Sequence, residues 1–209
     1  MEKLNRKKHW ENIYQTKNLN EVSWYQPSPK TSLDFLRQLN ISKTGKIIDV
    51  GGGDSFLVDH LLDMGYQDIT VLDISSASLN RAKKRLGKHA EKVKWIVEDI
   101  TTFKSTEQYD FWHDRATFHF LTKEKEIDKY IDSIKNYIKP TGVLVIGTFS
   151  KQGPKKCSGL EIKQYSASSM NERLKKLFKK INCITVDHHT PFGTIQNFIF
   201  CSFRKLSIS

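Results

Sequence analysis

The stretch of this chain best suited to hold a ligand is Asp49-Val50-Gly51-Gly52-Gly53, which closes an apolar run and opens a helical pattern. Lys46-Ile47-Ile48-Asp49-Val50 reads as a parallel strand buried on both faces, and Leu57, Leu61 and Met64 follow at helical spacing. Glycine tolerates positive φ and lacks a Cβ, so the backbone can turn sharply there and a ligand can come close. Nucleotide-like ligands bind at such turns in open α/β sheets. Two further acids, Asp73 and Asp99, close later apolar runs, and carboxylates at strand ends accept hydrogen bonds well. Beyond a fourth run come Asp114, Arg115 and His119, an acid, a fixed cation and an imidazole, which are the residue types of acid–base work and anion binding.

Strands must bring these groups together. Ile69-Thr70-Val71-Leu72-Asp73, Val93-Lys94-Trp95-Ile96-Val97, Tyr109-Asp110-Phe111-Trp112-His113 and Gly142-Val143-Leu144-Val145-Ile146-Gly147-Thr148-Phe149 read as the second to fifth strands. Pro29 is placed to open a helix through Leu33 and Leu36, and Ser75 or Ser76 to cap one carrying Leu79, Ala82 and Leu86. Thr122 is expected to begin the best-patterned helix, with Ile127, Tyr130, Ile131, Ile134, Tyr137 and Ile138 on one face, which Pro140 and Gly142 end, and Ser169 with Glu172 suggests a capping box for a helix through Phe178. Before the core, Leu4, Trp10, Ile13 and Tyr14 suggest a short amphipathic helix. Strands at about 181–188 and 195–204 are joined by only Thr190-Pro191-Phe192-Gly193. A parallel crossover needs a dozen or more residues, so these two must form an antiparallel hairpin. The expected architecture is one α/β domain over 1–209, with a helical lid segment at 1–40 and a core at 41–209.

Composition excludes several classes. No apolar run approaches the roughly 20 residues of a membrane span, and no apolar stretch follows the basic residues near Met1, so neither a span nor a signal peptide is expected. Cys157, Cys183 and Cys201 have no metal-like spacing, which argues against zinc and a disulfide framework and for a reducing, cytoplasmic setting. The net charge of +11 is spread along the chain without an aromatic-interleaved stripe. That pattern fits solvated lysine-rich faces and argues against nucleic acid.

Asp49-x-Gly51-x-Gly53, followed by Asp73 and then Asp99 at successive strand ends, resembles the class I S-adenosylmethionine-dependent methyltransferases, and the resemblance runs from about Trp10 to Phe203. It implies a Rossmann-like three-layer fold, with seven mostly parallel strands and the last one reversed. It implies further that Gly51 and Gly53 approach the cofactor and that Asp49 holds the turn or accepts from the cofactor's amino group. Asp73 would accept from the ribose hydroxyls and Asp99 from the adenine amine, with Ile74 and Ile100 sandwiching the ring. One position departs from the pattern, because the third glycine is Ser55, which can cap the following helix. Phe56 excludes the dinucleotide fingerprint, and no P-loop motif occurs.

His113-Asp114-Arg115-Ala116-Thr117-Phe118-His119 resembles the segment shared by thiopurine-like small-molecule methyltransferases and certain protein-lysine methyltransferases, and no Asn-Pro-Pro-Tyr motif is present. His119 is the expected base, Asp114 the alternative and a further cofactor contact, and Arg115 the anchor for an anionic acceptor or the cofactor carboxylate. Ser23-Trp24-Tyr25-Gln26-Pro27 resembles an aromatic lid, whose faces suit a sulfonium. The long loop from Ser150 to Tyr165 is expected to shape the acceptor side, with Cys157 a packing residue and His188 and His189 structural. A small-molecule acceptor is the leading expectation. An acidic protein methylated on lysine, or a non-catalytic cofactor-binding module, are the rivals.

Overall fold

Period-two alternation sorts the strand residues onto two faces. Ile47, Phe111, Val143 and Val145 join a core cluster with Leu33, Leu36, Leu57 and Leu61, whereas Ile48, Trp112, Leu144 and Ile146 join another with Tyr130, Ile134 and Met170. A sheet covered on both sides by helices results. A computed structural model describes residues 5–207, so Leu4 and the outermost ends of the 1–209 span lie outside the described residues.

In chain order the elements are α1 (Arg6–Thr16), α2 (Lys30–Gln38), β1 (Lys46–Val50), α3 (Leu57–Asp63), β2 (Asp68–Asp73), α4 (Ser76–Leu86), β3 (Val93–Val97) and β4 (Tyr109–Arg115). Then come α5 (Glu124–Tyr137), β5 (Ile138–Phe149), β6 (Lys156–Cys157), β7 (Leu160–Glu161), α6 (Ala167–Leu174), β8 (Phe178–His189) and β9 (Ile195–Lys205). The main sheet has seven strands in the order β3-β2-β1-β4-β5-β9-β8, and β9 alone runs against its neighbours. The reversed strand is therefore the one required by the short connection, five residues from Thr190 to Thr194.

Local chemistry accounts for several boundaries. The Ser75 hydroxyl accepts from the Ser78 amide and caps α4, and Ser55 accepts from the Leu57 amide at the start of α3. Pro29 is the N-cap of α2, one residue before the helix begins. Others fall differently from expectation. The α6 cap is Ser166 with Ser169, not Ser169 with Glu172, because the Ser166 hydroxyl accepts from the Ser169 amide and the Ser169 hydroxyl from the Ser166 amide. That helix stops at Leu174, and Phe178 already belongs to β8. Helix α5 starts at Glu124 and ends at Tyr137, so Pro140 and Gly142 lie in β5.

Cys183 and Cys201 are joined in a disulfide, against the expectation from cysteine count. The hairpin register sets them directly opposite each other, a relation that a separation of 18 residues does not display. The argument for a reducing setting thereby loses its basis. Among the described residues, no helix is long and apolar enough to cross a membrane, and no group of three or more His, Cys, Asp or Glu is placed to hold a metal ion.

Candidate functional site

A cavity opens beyond the carboxyl ends of β1, β2, β3 and β4, where the fold rule for open α/β sheets places ligands. Helix α1 and the segment after it roof it with aromatic rings. The Trp10 ring lies 5.0 Å from Phe120 and 5.7 Å from Trp24, and Tyr14 lies 6.0 Å from Trp24. Glu11 clasps this roof to α4. Its carboxylate accepts from the Ser75 and Ser76 hydroxyls at 2.8 Å each and from the Ala77 amide at 3.1 Å. Burial would raise the Glu11 carboxyl, but these hydrogen bonds outweigh it and hold the group below its usual range. Arg81 adds donations to the Tyr14 and Lys17 carbonyls, which close the last turn of α1.

On the β1–β3 side the cavity is walled by Asp49, Gly51, Asp73, Ile74, Asp99 and Ile100. Asp73 accepts from the Ser75 amide with Oδ1 at 2.8 Å. Burial pushes its carboxyl up to about 7, with Asp54 and Asp49 adding like-charge repulsion. A buried acid without a cationic partner among the described residues, facing a cavity, is suited to accept neutral hydroxyl donors. Asp99 accepts from the Thr101 amide and hydroxyl with Oδ1, and its Oδ2 lies 3.8 Å from the Arg6 guanidinium. Only Oδ2 of Asp99 remains for a ligand.

The glycine turn serves the protein as well as the cavity. Gly53 does not wall the cavity, and a Cβ there would meet the Tyr14 hydroxyl at 2.8 Å and the Asp73 carboxylate at 3.2 Å. The absent side chain lets the roof and the β2 acid come together over the turn.

The acceptor candidates separate. Arg115 faces the cavity, donates from Nη1 to the Trp24 carbonyl at 3.1 Å and lies 5.2 Å over the Phe198 ring. Its Nη2 is buried without a hydrogen-bond partner among the described residues, and burial brings the guanidinium down to about 10, still charged at neutral pH. Trp24 walls the cavity beside it. Asp114 and His119 do not wall it. Asp114 turns under the strand end, where Oδ1 accepts from the Thr117 and Phe118 amides. His119 is fully buried against Phe149, its Nδ1 accepts the Phe149 amide, and burial with the Arg115 charge lowers it to about 3. An imidazole whose lone pair already accepts an amide and that is hard to protonate is poorly suited to take a proton from an acceptor, and Asp114, whose carboxyl burial raises to about 6, does not wall the cavity, so the structure brings neither expected base to it.

Cys157 lines the cavity, and burial raises its thiol, which keeps it protonated and a poor nucleophile. His188 fixes the lid segment: Nε2 donates to the Ser23 carbonyl at 2.6 Å and Nδ1 accepts from Gln26 at 3.2 Å, while His189 is exposed. The sequence reading passed over His113 and Ser32, both of which wall the cavity. The available signal was that His113 and Asp49 lie on neighbouring strands at matching depth.

A mostly parallel seven-stranded sheet with one reversed strand, carrying acids at successive strand ends around one cavity, defines a class I methyltransferase fold. A methyltransferase-domain family model matches residues 41–197, and the chain belongs to that family of S-adenosylmethionine-dependent methyltransferases. It is 29% identical over 106 residues to malonyl-[acyl-carrier protein] O-methyltransferase 2 of Ilyobacter polytropus, covering 50% of this chain and 39% of that protein. The chain thus spans well under half the length of that relative. It is 26% identical over 160 residues to EEF1A lysine methyltransferase 2 of Danio rerio, covering 69% of this chain and 68% of that one. Among solved structures, the N-methyltransferase NodS of Bradyrhizobium japonicum with S-adenosylhomocysteine superposes at a TM-score of 0.72 and 14% identity, over 97% of this chain and 100% of that one. At that identity the likeness concerns the fold.

Proposed function

We propose that the chain transfers a methyl group from S-adenosylmethionine to a small-molecule acceptor that carries an anionic group. The observation that carries the reading is the cavity itself. It joins a nucleoside-type wall of Asp73, Ile74, Asp99 and Ile100 to an aromatic roof with one unpaired guanidinium nitrogen, Nη2 of Arg115. The residues present fit the cofactor: Asp73 offers a buried, cation-free carboxylate to the ribose hydroxyls, and Ile74 and Ile100 offer apolar contact to adenine. When bound, S-adenosylmethionine supplies an electrophilic methyl on a sulfonium.

The chain's own part is to orient and to exclude water. Trp10, Tyr14, Trp24 and Phe120 close over the cavity, and their faces suit both the sulfonium and a desolvated acceptor. Arg115 lies toward the lid, Phe198 and Cys157, where Nη2 can take an oxygen of an acceptor acid. With His119 outside the cavity and Cys157 protonated, the acceptor atom is best supplied already unprotonated, as a carboxylate is. A relative whose name specifies a malonyl-[acyl-carrier protein] acceptor supports a non-nucleic acceptor. A second reading, methylation of a protein lysine, is favoured by the longer-spanning match to the Danio rerio protein.

Calorimetry with S-adenosylhomocysteine tests the cofactor, with micromolar binding expected and no binding overturning the reading. Methyl-labelled cofactor incubated with a cell extract then tests the acceptor. Label in the acid-soluble fraction supports a small molecule, and label confined to precipitated protein supports lysine.

A further inference from the structure

Asp49 does not stand alone at the glycine turn. It is the register partner of His113 across β1 and β4, and the two side chains meet at 2.7 Å between Oδ1 and Nδ1. The other ring nitrogen, Nε2, lies 2.8 Å from the hydroxyl of Ser32 in the first turn of α2. All three residues are buried and all three wall the cavity. A carboxylate only accepts, so Nδ1 donates to it, and in the neutral imidazole Nε2 accepts from the Ser32 hydroxyl. The neutral ring gives the chain one polarity, Ser32 to His113 to Asp49.

This satisfies Asp49 Oδ1 and leaves Oδ2 with no hydrogen bond among the described residues. Oδ2 lies at the turn, where a Cβ on Gly52 would come within 2.6 Å of it. We propose that Ser32 and His113 are positioning residues that hold Asp49 with Oδ2 turned to the cavity, as the acceptor for the α-ammonium at the methionine end of the cofactor. The proposal rests on the cofactor reading above. The same residue types in the same order make a nucleophile, a base and an orienting carboxylate elsewhere. Here the Ser32 hydroxyl is fully buried, and methyl transfer requires no covalent intermediate on the protein. The relay orients a charge instead.

The test compares S-adenosylhomocysteine with 5′-methylthioadenosine, which keeps the nucleoside and the sulfur but has neither ammonium nor carboxylate. His113→Ala should weaken the first by about tenfold, the scale of one lost charge-assisted hydrogen bond, and leave the second within about twofold. His113→Asn restores a donor toward Asp49 and should recover most of the loss. Ser32→Ala, which disturbs packing least, should shift the ratio in the same direction by about threefold. If His113→Ala does not fold, Ser32→Ala carries the comparison. Equal weakening of both ligands, or an unchanged ratio in Ser32→Ala and, where it folds, in His113→Ala, overturns the proposal. A wild-type chain that binds neither ligand overturns the cofactor reading instead.

Discussion

Thr117 occupies the space that a side chain on Gly51 would need. A Cβ on Gly51 would lie 1.7 Å from the Thr117 Oγ1, which donates to the Val50 carbonyl at 3.1 Å, and the Gly51 φ is +67°. Two penalties coincide there, steric and conformational. Gly51→Ala should cost about 1–3 kcal/mol in denaturant unfolding and lose S-adenosylhomocysteine binding. Adding Thr117→Ala should recover only the steric part. Full recovery in the double variant would show that the positive φ carries no cost.

Asp73 makes cofactor binding depend on pH. Its buried carboxyl is raised to about 7, and ribose hydroxyls donate well only to the ionised form. Calorimetric affinity for S-adenosylhomocysteine should fall about tenfold from pH 8 to pH 6 in the wild type, and Asp73→Asn should bind weakly with little pH dependence. The folding linkage has the opposite sense. Between 3.8 and about 7 the native group keeps a proton that the unfolded chain has released, so this contribution to stability is lost as pH rises through that window. A flat affinity profile in the wild type would remove Asp73 from the ribose.

For His119 the expected loss is of stability. Replacing it with alanine leaves the buried Phe149 amide unpaired and should cost about 1–3 kcal/mol in thermal or denaturant unfolding. Turnover per folded molecule at saturating substrates should stay within about twofold. A collapse of turnover in folded protein would reinstate the imidazole as a base.

Arg115 is expected to act on the acceptor. Arg115→Met should leave S-adenosylhomocysteine affinity within about twofold while raising the acceptor KM about tenfold or more, the scale of a lost charge-assisted contact. Weaker cofactor binding with unchanged acceptor KM would instead put the guanidinium on the cofactor carboxylate.

The sheet was legible because apolar runs mark strands, and because four residues between the last two runs permit only a hairpin. The acids at strand ends were legible for the same reason. What lay hidden depends on direction and register. Ala116 has a φ of +69°, which breaks the alternation after Arg115, so spacing alone does not tell which of Asp114, Arg115 and His119 faces the cavity. His113 becomes visible only when β4 is laid beside β1, and the Cys183–Cys201 bond only when β8 is laid beside β9. Trp10 and Tyr14 stand four apart on α1, but that pattern fits a core face as well as a roof.

The Glu11 clasp bears on preorganisation. Its three hydrogen bonds to the first turn of α4 depend on no ligand group. They hold Trp10 and Tyr14 over the cavity through contacts made within the chain, so the fold itself orders the roof and ligand binding need not supply that ordering.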